Sequence, residues 1–250
     1  ARLRSVILGA MKLLAPAYGY PSQSRSLWDG LLDCADLLGH VIINPGSGPG
    51  VVRDPVWNDQ IGALGDRGVS MLGYLDLGYS RKPVDVLVAE ASTWERWYGI
   101  LDFFLDCAPS SDLPRTARVV DDLRMSARAG TLVANAGTAV VPAVAAHFDA
   151  VVEHEGLPHH EAHAAVALSP AEERDLGQLS SLVIPGRSWI VYGADKDAAL
   201  STLRRARAQG VDQIWITDLE GGNPYRDLPS YWPWLLGALA EESDAGLLGA

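Results

Sequence analysis

Asp106 and Glu155 each follow a run of apolar residues, Phe103-Phe104-Leu105 before the first and Ala150-Val151-Val152 shortly before the second. A lone carboxylate after such a run is unfavourable to bury unless it is paired or put to use. Two acids delivered from different strands suit glycoside cleavage. One carboxyl holds a proton for the leaving oxygen while the other stays ionised to attack, or to stabilise, an oxocarbenium-like centre. A separation of ~5–5.5 Å implies retention of configuration and ~6.5–9.5 Å inversion. Asp106 has a second reading, as the N-cap of the helix that follows it. Around Glu155, period-two alternation puts Glu153 and Glu155 on one face and His154 on the other, with Glu155 nearer the strand end.

Aromatic residues collect at the same kind of position. Tyr18, Tyr20, Tyr74, Tyr79, Tyr225, Tyr231 and Trp232 fall at or near the ends of apolar runs, where flat faces stack on sugar rings and phenols bond hydroxyls. Most large aromatics are packing. Tyr18, Tyr74, Tyr79 and Tyr225 are the candidates for substrate contact. Asn44 and Asn135 each precede a glycine-containing turn, and both turn formation and substrate hydrogen bonding account for them. Asp218 opens the loop leading to Asn223-Pro224-Tyr225 and is a further candidate.

Other chemistries find less support. Gly46-Ser47-Gly48-Pro49-Gly50 lacks the Lys-Ser/Thr of a phosphate-binding P-loop, and Pro45 and Pro49 carry no amide N–H for an anion. Glu220-Gly221-Gly222 follows the last apolar run, but its glutamate repels phosphate. His159 and His163 have the i,i+4 spacing of a zinc pair, yet the order is wrong for HExxH and a polar loop has the same composition. No metal and no cofactor is expected. None of the three lysines, Lys12, Lys82 and Lys196, sits inside an apolar strand-like run where burial could depress its pKa, which disfavours Schiff-base chemistry. No G-x-S-x-G motif occurs. Cys34 and Cys107 form neither a disulfide framework nor a metal-ligand spacing.

These residues need a scaffold that brings strand ends together. Eight strand-like segments recur, at Lys12–Tyr18, His40–Asn44, Ser70–Leu75, Ile100–Asp106, Thr131–Asn135, Ala150–Glu155, Ser188–Tyr192 and Gln213–Thr217. Helical spacing lies between and after them, at Trp28–Leu38, Asp54–Arg67, Val84–Trp97, Pro114–Ala129, Pro142–Phe148, Pro170–Leu182, Asp197–Gln209 and Pro229–Ala240. The count predicts a single α/β domain over 1–250, a (β/α)8 TIM-type barrel with a tail from about 241 to 250, and an open doubly wound sheet is the competing arrangement. In the barrel the site forms where strands end, and here those connections are long and chemically rich.

With 48% hydrophobic and 20% charged residues, the chain has the composition of a globular domain with a full core. A formal charge of -11 disfavours nucleic acid and anionic lipid as partners. No apolar run reaches membrane-spanning length. The opening Ala1–Ala10, followed closely by Lys12 and Pro16, reads as mature chain rather than a signal peptide.

Several segments together resemble the spherulation-specific family 4 (spherulin 4-like) proteins, classed with glycoside hydrolase family 135. The likeness runs through Pro16-Ala17-Tyr18-Gly19-Tyr20-Pro21, Val41-Ile42-Ile43-Asn44-Pro45-Gly46-Ser47-Gly48-Pro49-Gly50, Gly73-Tyr74 with Tyr79 and Arg81, and Trp97-Tyr98-Gly99 to Phe104-Leu105-Asp106. It continues in Asn135-Ala136-Gly137-Thr138, Phe148-Asp149 to Glu155-Gly156, and Thr217-Asp218 with Asn223-Pro224-Tyr225. The resemblance implies a (β/α)8-type barrel and hydrolysis of galactosaminogalactan, an N-acetylgalactosamine-containing polysaccharide, usually outside the cell. The family's acidic pair after the fourth strand is Asp-Glu, where this chain has Asp106-Cys107, and Glu155 matches the family's later glutamate. Two functions follow: a hydrolase working with Asp106 and Glu155, or a glycan-binding barrel whose catalysis was lost with the glutamate.

Overall fold

The computed structural model describes residues 10–158 and 186–245. Its strands are β1 Lys12–Ala17, β2 Leu38–Ile43, β3 Met71–Asp76, β4 Phe103–Asp106, β5 Leu132–Asn135, β6 Ala150–Gly156, β7 Gly186–Val191 and β8 Gln213–Ile216. They pair in sequence order, all parallel, and β1 meets β8 to close a barrel. Closure excludes the open doubly wound sheet. Around it lie α1 Arg25–Asp33, α2 Pro55–Asp66, α3 Val84–Tyr98, α4 Leu113–Ser126, α5 Pro142–Ala145, α6 Lys196–Ala208 and α7 Trp232–Ala245. The expected helix at Pro170–Leu182 and the histidines His159, His160 and His163 lie outside the described residues.

Three helix starts, those of α2, α4 and α6, follow capping chemistry. Asp54, Asp112 and Asp195 accept hydrogen bonds from the amides of Val56, Arg115 and Ala198, and Pro55 and Pro114 occupy first-turn positions where no intrahelical N–H bond is lost. Asp112 therefore caps α4, and the N-cap reading of Asp106 does not hold.

Element ends shift where tertiary pairing outweighs local spacing. The helix expected through Leu38 stops at Asp33, because Leu38 is extended and in register with Leu13 of β1. Between them Ala35–Leu37 makes a short 3-10 turn. The helix starting at Pro142 ends at Ala145 rather than Phe148, since the amides of His147 and Phe148 bond three residues back, to Val144 and Ala145. The last helix begins at Trp232 and runs to Ala245, beyond the residue 240 where the periodic pattern ends.

One contact ties the helix layer to the site. Gly73 lies in the middle of β3, and a Cβ there would fall 2.8 Å from Cδ2 of Trp94 on α3. The indole is fully buried, and its Nε1 donates to the carbonyl of Tyr74 at 3.1 Å. The missing side chain at Gly73 is what lets α3 settle against the strand that carries Tyr74 and Asp76. Gly73→Ala should overpack this contact and lower stability by about 1–3 kcal/mol. Urea denaturation reads the change, and an unaltered midpoint would refute the packing argument.

Candidate active site

At the carboxyl ends of the strands, β4 delivers Asp106, β5 Asn135 and β6 Glu155. The side-chain nitrogen of Asn135 donates to both acids, to Asp106 Oδ1 at 2.8 Å and Glu155 Oε2 at 2.5 Å. Two bonds meeting at one atom put those oxygens no further apart than the sum of the two lengths, about 5.3 Å. Asn135 Oδ1 accepts from the amide of Gly137 at 3.2 Å, which fixes the orientation of the amide. The reverse orientation would aim an oxygen at two carboxylates. Expected as a substrate contact or a turn former, Asn135 is occupied on both sides by the protein, as a turn residue and as the bridge between the acids.

Glu155 reaches the mouth through an irregularity in β6. The pairing passes from Val152 opposite Ser188 to His154 opposite Trp189, which skips Glu153. One extra residue reverses the alternation, so Glu155 shares a face with Val152 and not with Glu153. The expectation that both glutamates share a face is overturned by this bulge. Glu153 pairs with Arg187 Nε at 2.8 Å instead, and His154 is buried against the ring of Trp189.

Tyrosines complete the hollow. Tyr74 OH donates to Asp106 Oδ2 at 2.5 Å and Tyr225 OH to Glu155 Oε1 at 2.7 Å. Tyr18 stands edge-on to both rings, with centroids 5.9 Å and 5.3 Å away. Burial and the facing charges of Asp106 and Glu155 push its phenol well above the ordinary tyrosine value, so it stays protonated. No protein hydrogen bond engages that hydroxyl among the described residues, which leaves it for a ligand. The mutual bonds of Tyr18 N to Tyr225 O, Tyr225 N to Asn223 Oδ1 and Asn223 Nδ2 to Tyr18 O lock the loop after β8 onto the end of β1.

Asp76 is a third carboxylate, in register with Asp106 on the neighbouring strand, and its Oδ1 accepts from Gly78 N at 2.7 Å. Cys107 follows Asp106 in a left-handed conformation, φ 49°, with its sulfur 4.0 Å from Asp106 Oδ2 and facing Tyr79 and Asp76. Burial first, then the Asp106 charge, pushes its thiol up to about 11, so it is neutral and a poor nucleophile near pH 7. Tyr79 is 56% exposed at the rim. Burial, above all, raises the carboxyl of Glu155 above its usual range, against the lowering effect of the Tyr225 and Asn135 hydrogen bonds.

Other candidates hold loops. Asn44 Oδ1 accepts from Gly48 N at 3.2 Å and Asp218 Oδ1 from Ser230 N at 3.0 Å, and no hydrogen bond joins either to the acids. Tyr20 bonds Asp54, Tyr231 the carbonyl of Ala194, and Trp232 packs on Trp215, so these aromatics serve the scaffold. None of the ion pairs among the described residues involves Asp76, Asp106 or Glu155. Among those residues no group of three or more His, Cys, Asp or Glu could hold a metal ion.

The profile of spherulation-specific family 4 matches residues 12–239. The chain belongs to that family. Among solved structures it is similar to Sph3 of Aspergillus clavatus, crystallised with GalNAc, at 21% identity and TM-score 0.71, covering 93% of this chain and 99% of that one. It is also similar to the glycoside hydrolase domain of PelA from Pseudomonas aeruginosa, at 16% identity and TM-score 0.50, covering 88% and 99%. At these identities the likeness speaks for the fold. No curated protein matches the sequence. Within spherulation-specific family 4, Cys107 stands where the resemblance implies a glutamate.

The hydrogen bond from Tyr225 lowers the Glu155 carboxyl while burial raises it. Tyr225→Phe keeps the ring and removes the donor, so the Glu155 carboxyl should titrate at higher pH in the variant. Carbon-detected NMR of the side-chain carboxyl measures it, and an unchanged or lower midpoint would contradict the assignment.

Proposed function

We propose that the chain binds and hydrolyses an amino-sugar polysaccharide of the galactosaminogalactan type at Asp106 and Glu155. The observation that carries the reading is the single amide of Asn135 holding the two carboxylates, whose facing oxygens are no more than about 5.3 Å apart. A gap within that bound is shorter than the ~6.5–9.5 Å that inversion needs for its water, which favours the closer pair of retaining glycosidases, ~5–5.5 Å. Glu155, raised by burial, holds the proton that the leaving oxygen needs. Asp106 accepts hydrogen bonds from Tyr74 and Asn135 and meets the anomeric carbon as the anion. In the first displacement an Asp106 oxygen bonds the anomeric carbon as the leaving oxygen departs with the Glu155 proton. In the second, Glu155, now ionised, takes a proton from water while the water oxygen bonds that carbon and the bond to Asp106 breaks.

Substrate class follows from charge and surface. Three carboxylates without an ion-pair partner among the described residues and a ring of tyrosines favour a neutral or partly deacetylated, cationic sugar chain and disfavour uronic acids. Sph3, a protein of the same fold, was crystallised with GalNAc, which supports an amino sugar here. Tyr18, Tyr79 and Tyr225 are the aromatic contacts of this reading, while Asn44 and Asp218 shape loops at its edge. Action outside the cell is the location implied by the family resemblance.

Cys107 favours a second reading, a glycan-binding barrel without turnover, because a thiol pushed up to about 11 cannot replace a carboxylic acid in proton delivery. One set of proteins separates the two. Asp106→Asn and Glu155→Gln should each cut reducing-end release from galactosaminogalactan by about 10²–10⁴-fold while the protein still folds. Full activity in either variant would overturn the assignment. A wild-type chain that binds the polysaccharide without product, and gains activity as Cys107→Glu, would establish the second reading instead.

A further inference from the structure

A separate cavity of about 290 Å³ opens beside the acid pair, lined by Tyr79, Ser80, Ser110, Ser111, Asp112 and Thr138 with Ala108, Pro109 and Ala136. Three strand-end loops build it. Backbone bonds from Tyr79 N to Cys107 O, Ala108 N to Asn135 O and Val141 N to Ser110 O, of 2.8, 2.9 and 2.8 Å, stitch the loops after β3, β4 and β5 into one wall. These bonds engage main-chain atoms. The side-chain hydroxyls of Ser80, Ser110, Ser111 and Thr138 bond to no protein group among the described residues. Each therefore keeps a donor and an acceptor for an occupant.

Its position relates it to the acids. Ala108 and Ala136 follow Asp106 and Asn135 by two and one residues in the chain. Tyr79 is the shared partition: its phenol faces Cys107 and feels the charges of Asp106 and Glu155, and the same ring lines the cavity. A glycan laid across the two carboxylates would pass Tyr79 and enter this space.

The chemistry of the lining selects the occupant. The volume lies at the lower end of small-ligand sites, ~300 Å³, the scale of one sugar ring rather than an extended segment. Hydroxyl-bearing side chains from three loops suit the hydroxyls of a pyranose, and the exposed ring of Tyr79 offers a stacking face. Among the described residues no Lys or Arg lines the cavity, and Asp112, whose Oδ1 caps Arg115 N, adds negative charge. A uronic acid or sulfated sugar is disfavoured there, whereas a neutral hexose or a hexosamine is accepted.

We propose that this cavity is a second sugar subsite, taking one neutral or amino-sugar unit of the same chain that crosses Asp106 and Glu155. The inference rests on the glycan-cleaving or glycan-binding reading above and adds where a neighbouring unit is held. The test compares affinities for galactosamine oligosaccharides of two to about eight units, measured by calorimetry in a Glu155→Gln background so that the ligand persists. Ser110→Phe and Thr138→Phe, on different loops, each fill the cavity, and thermal melts confirm folding, so that either variant alone suffices. The ratio of long-chain to short-chain affinity should fall about tenfold in the filled variants, about 1.4 kcal/mol of lost selectivity. Folded variants that keep the unfilled protein's ratio would overturn the subsite and leave the main site standing. Failure of the unfilled protein to bind any of the oligosaccharides would overturn both together.

Discussion

Two carboxylates whose facing oxygens lie within about 5.3 Å of each other repel by about 3 kcal/mol at an effective dielectric near 20, and more as water leaves. The arrangement at this barrel mouth depends on relieving that repulsion without pushing the acids apart. Asn135 does so with two N–H groups from one nitrogen, each aimed at a different acid. Because the donors belong to one rigid amide, relief and spacing come from the same atoms. Burial first, and the Asp106 charge after it, raise the carboxyl of Glu155, while Asp106 keeps its second donor in Tyr74. The two acids thereby sit in different surroundings, as the proposed acid–base roles require.

Barrel closure makes this arrangement available. β4, β5 and β6 are consecutive neighbours, so the three side chains come from adjacent strand ends, and Tyr225 arrives from the loop after β8 across the mouth. Tyr18 links Tyr74 and Tyr225 ring to ring, joining the two phenols that hold the two acids. On the other side of Asp106, Cys107, Tyr79 and Ser80 all adopt left-handed backbone conformations. Such conformations cost about 1–3 kcal/mol each and tend to collect where function constrains the chain.

The barrel was legible because eight short apolar runs alternate with helical spacing, and parallel strands buried on both faces read as continuous apolar segments. Asp106 and Glu155 were legible for a related reason, since a carboxylate ending an apolar run has to be explained. Asp76 carries the same signal after Leu75 and sits beside Asp106. The bulge at Glu153 was not legible, because one unpaired residue leaves no mark in composition and only the partner strand reveals it. Nor could the sequence divide the asparagines: Asn44 and Asn135 both precede glycine turns, and only the pairing of β5 with β4 and β6 puts one of them between two acids. The acid separation, decisive for mechanism, is a property of neighbouring strands in a closed barrel and has no local signature.

In the proposed mechanism one amide holds the acids close enough for a double displacement. Proton NMR of the first-formed product, recorded before mutarotation, measures this directly. The spacing set by Asn135 predicts a reducing end with the same anomeric configuration as the bond that was cut. A first product of the opposite configuration would contradict it.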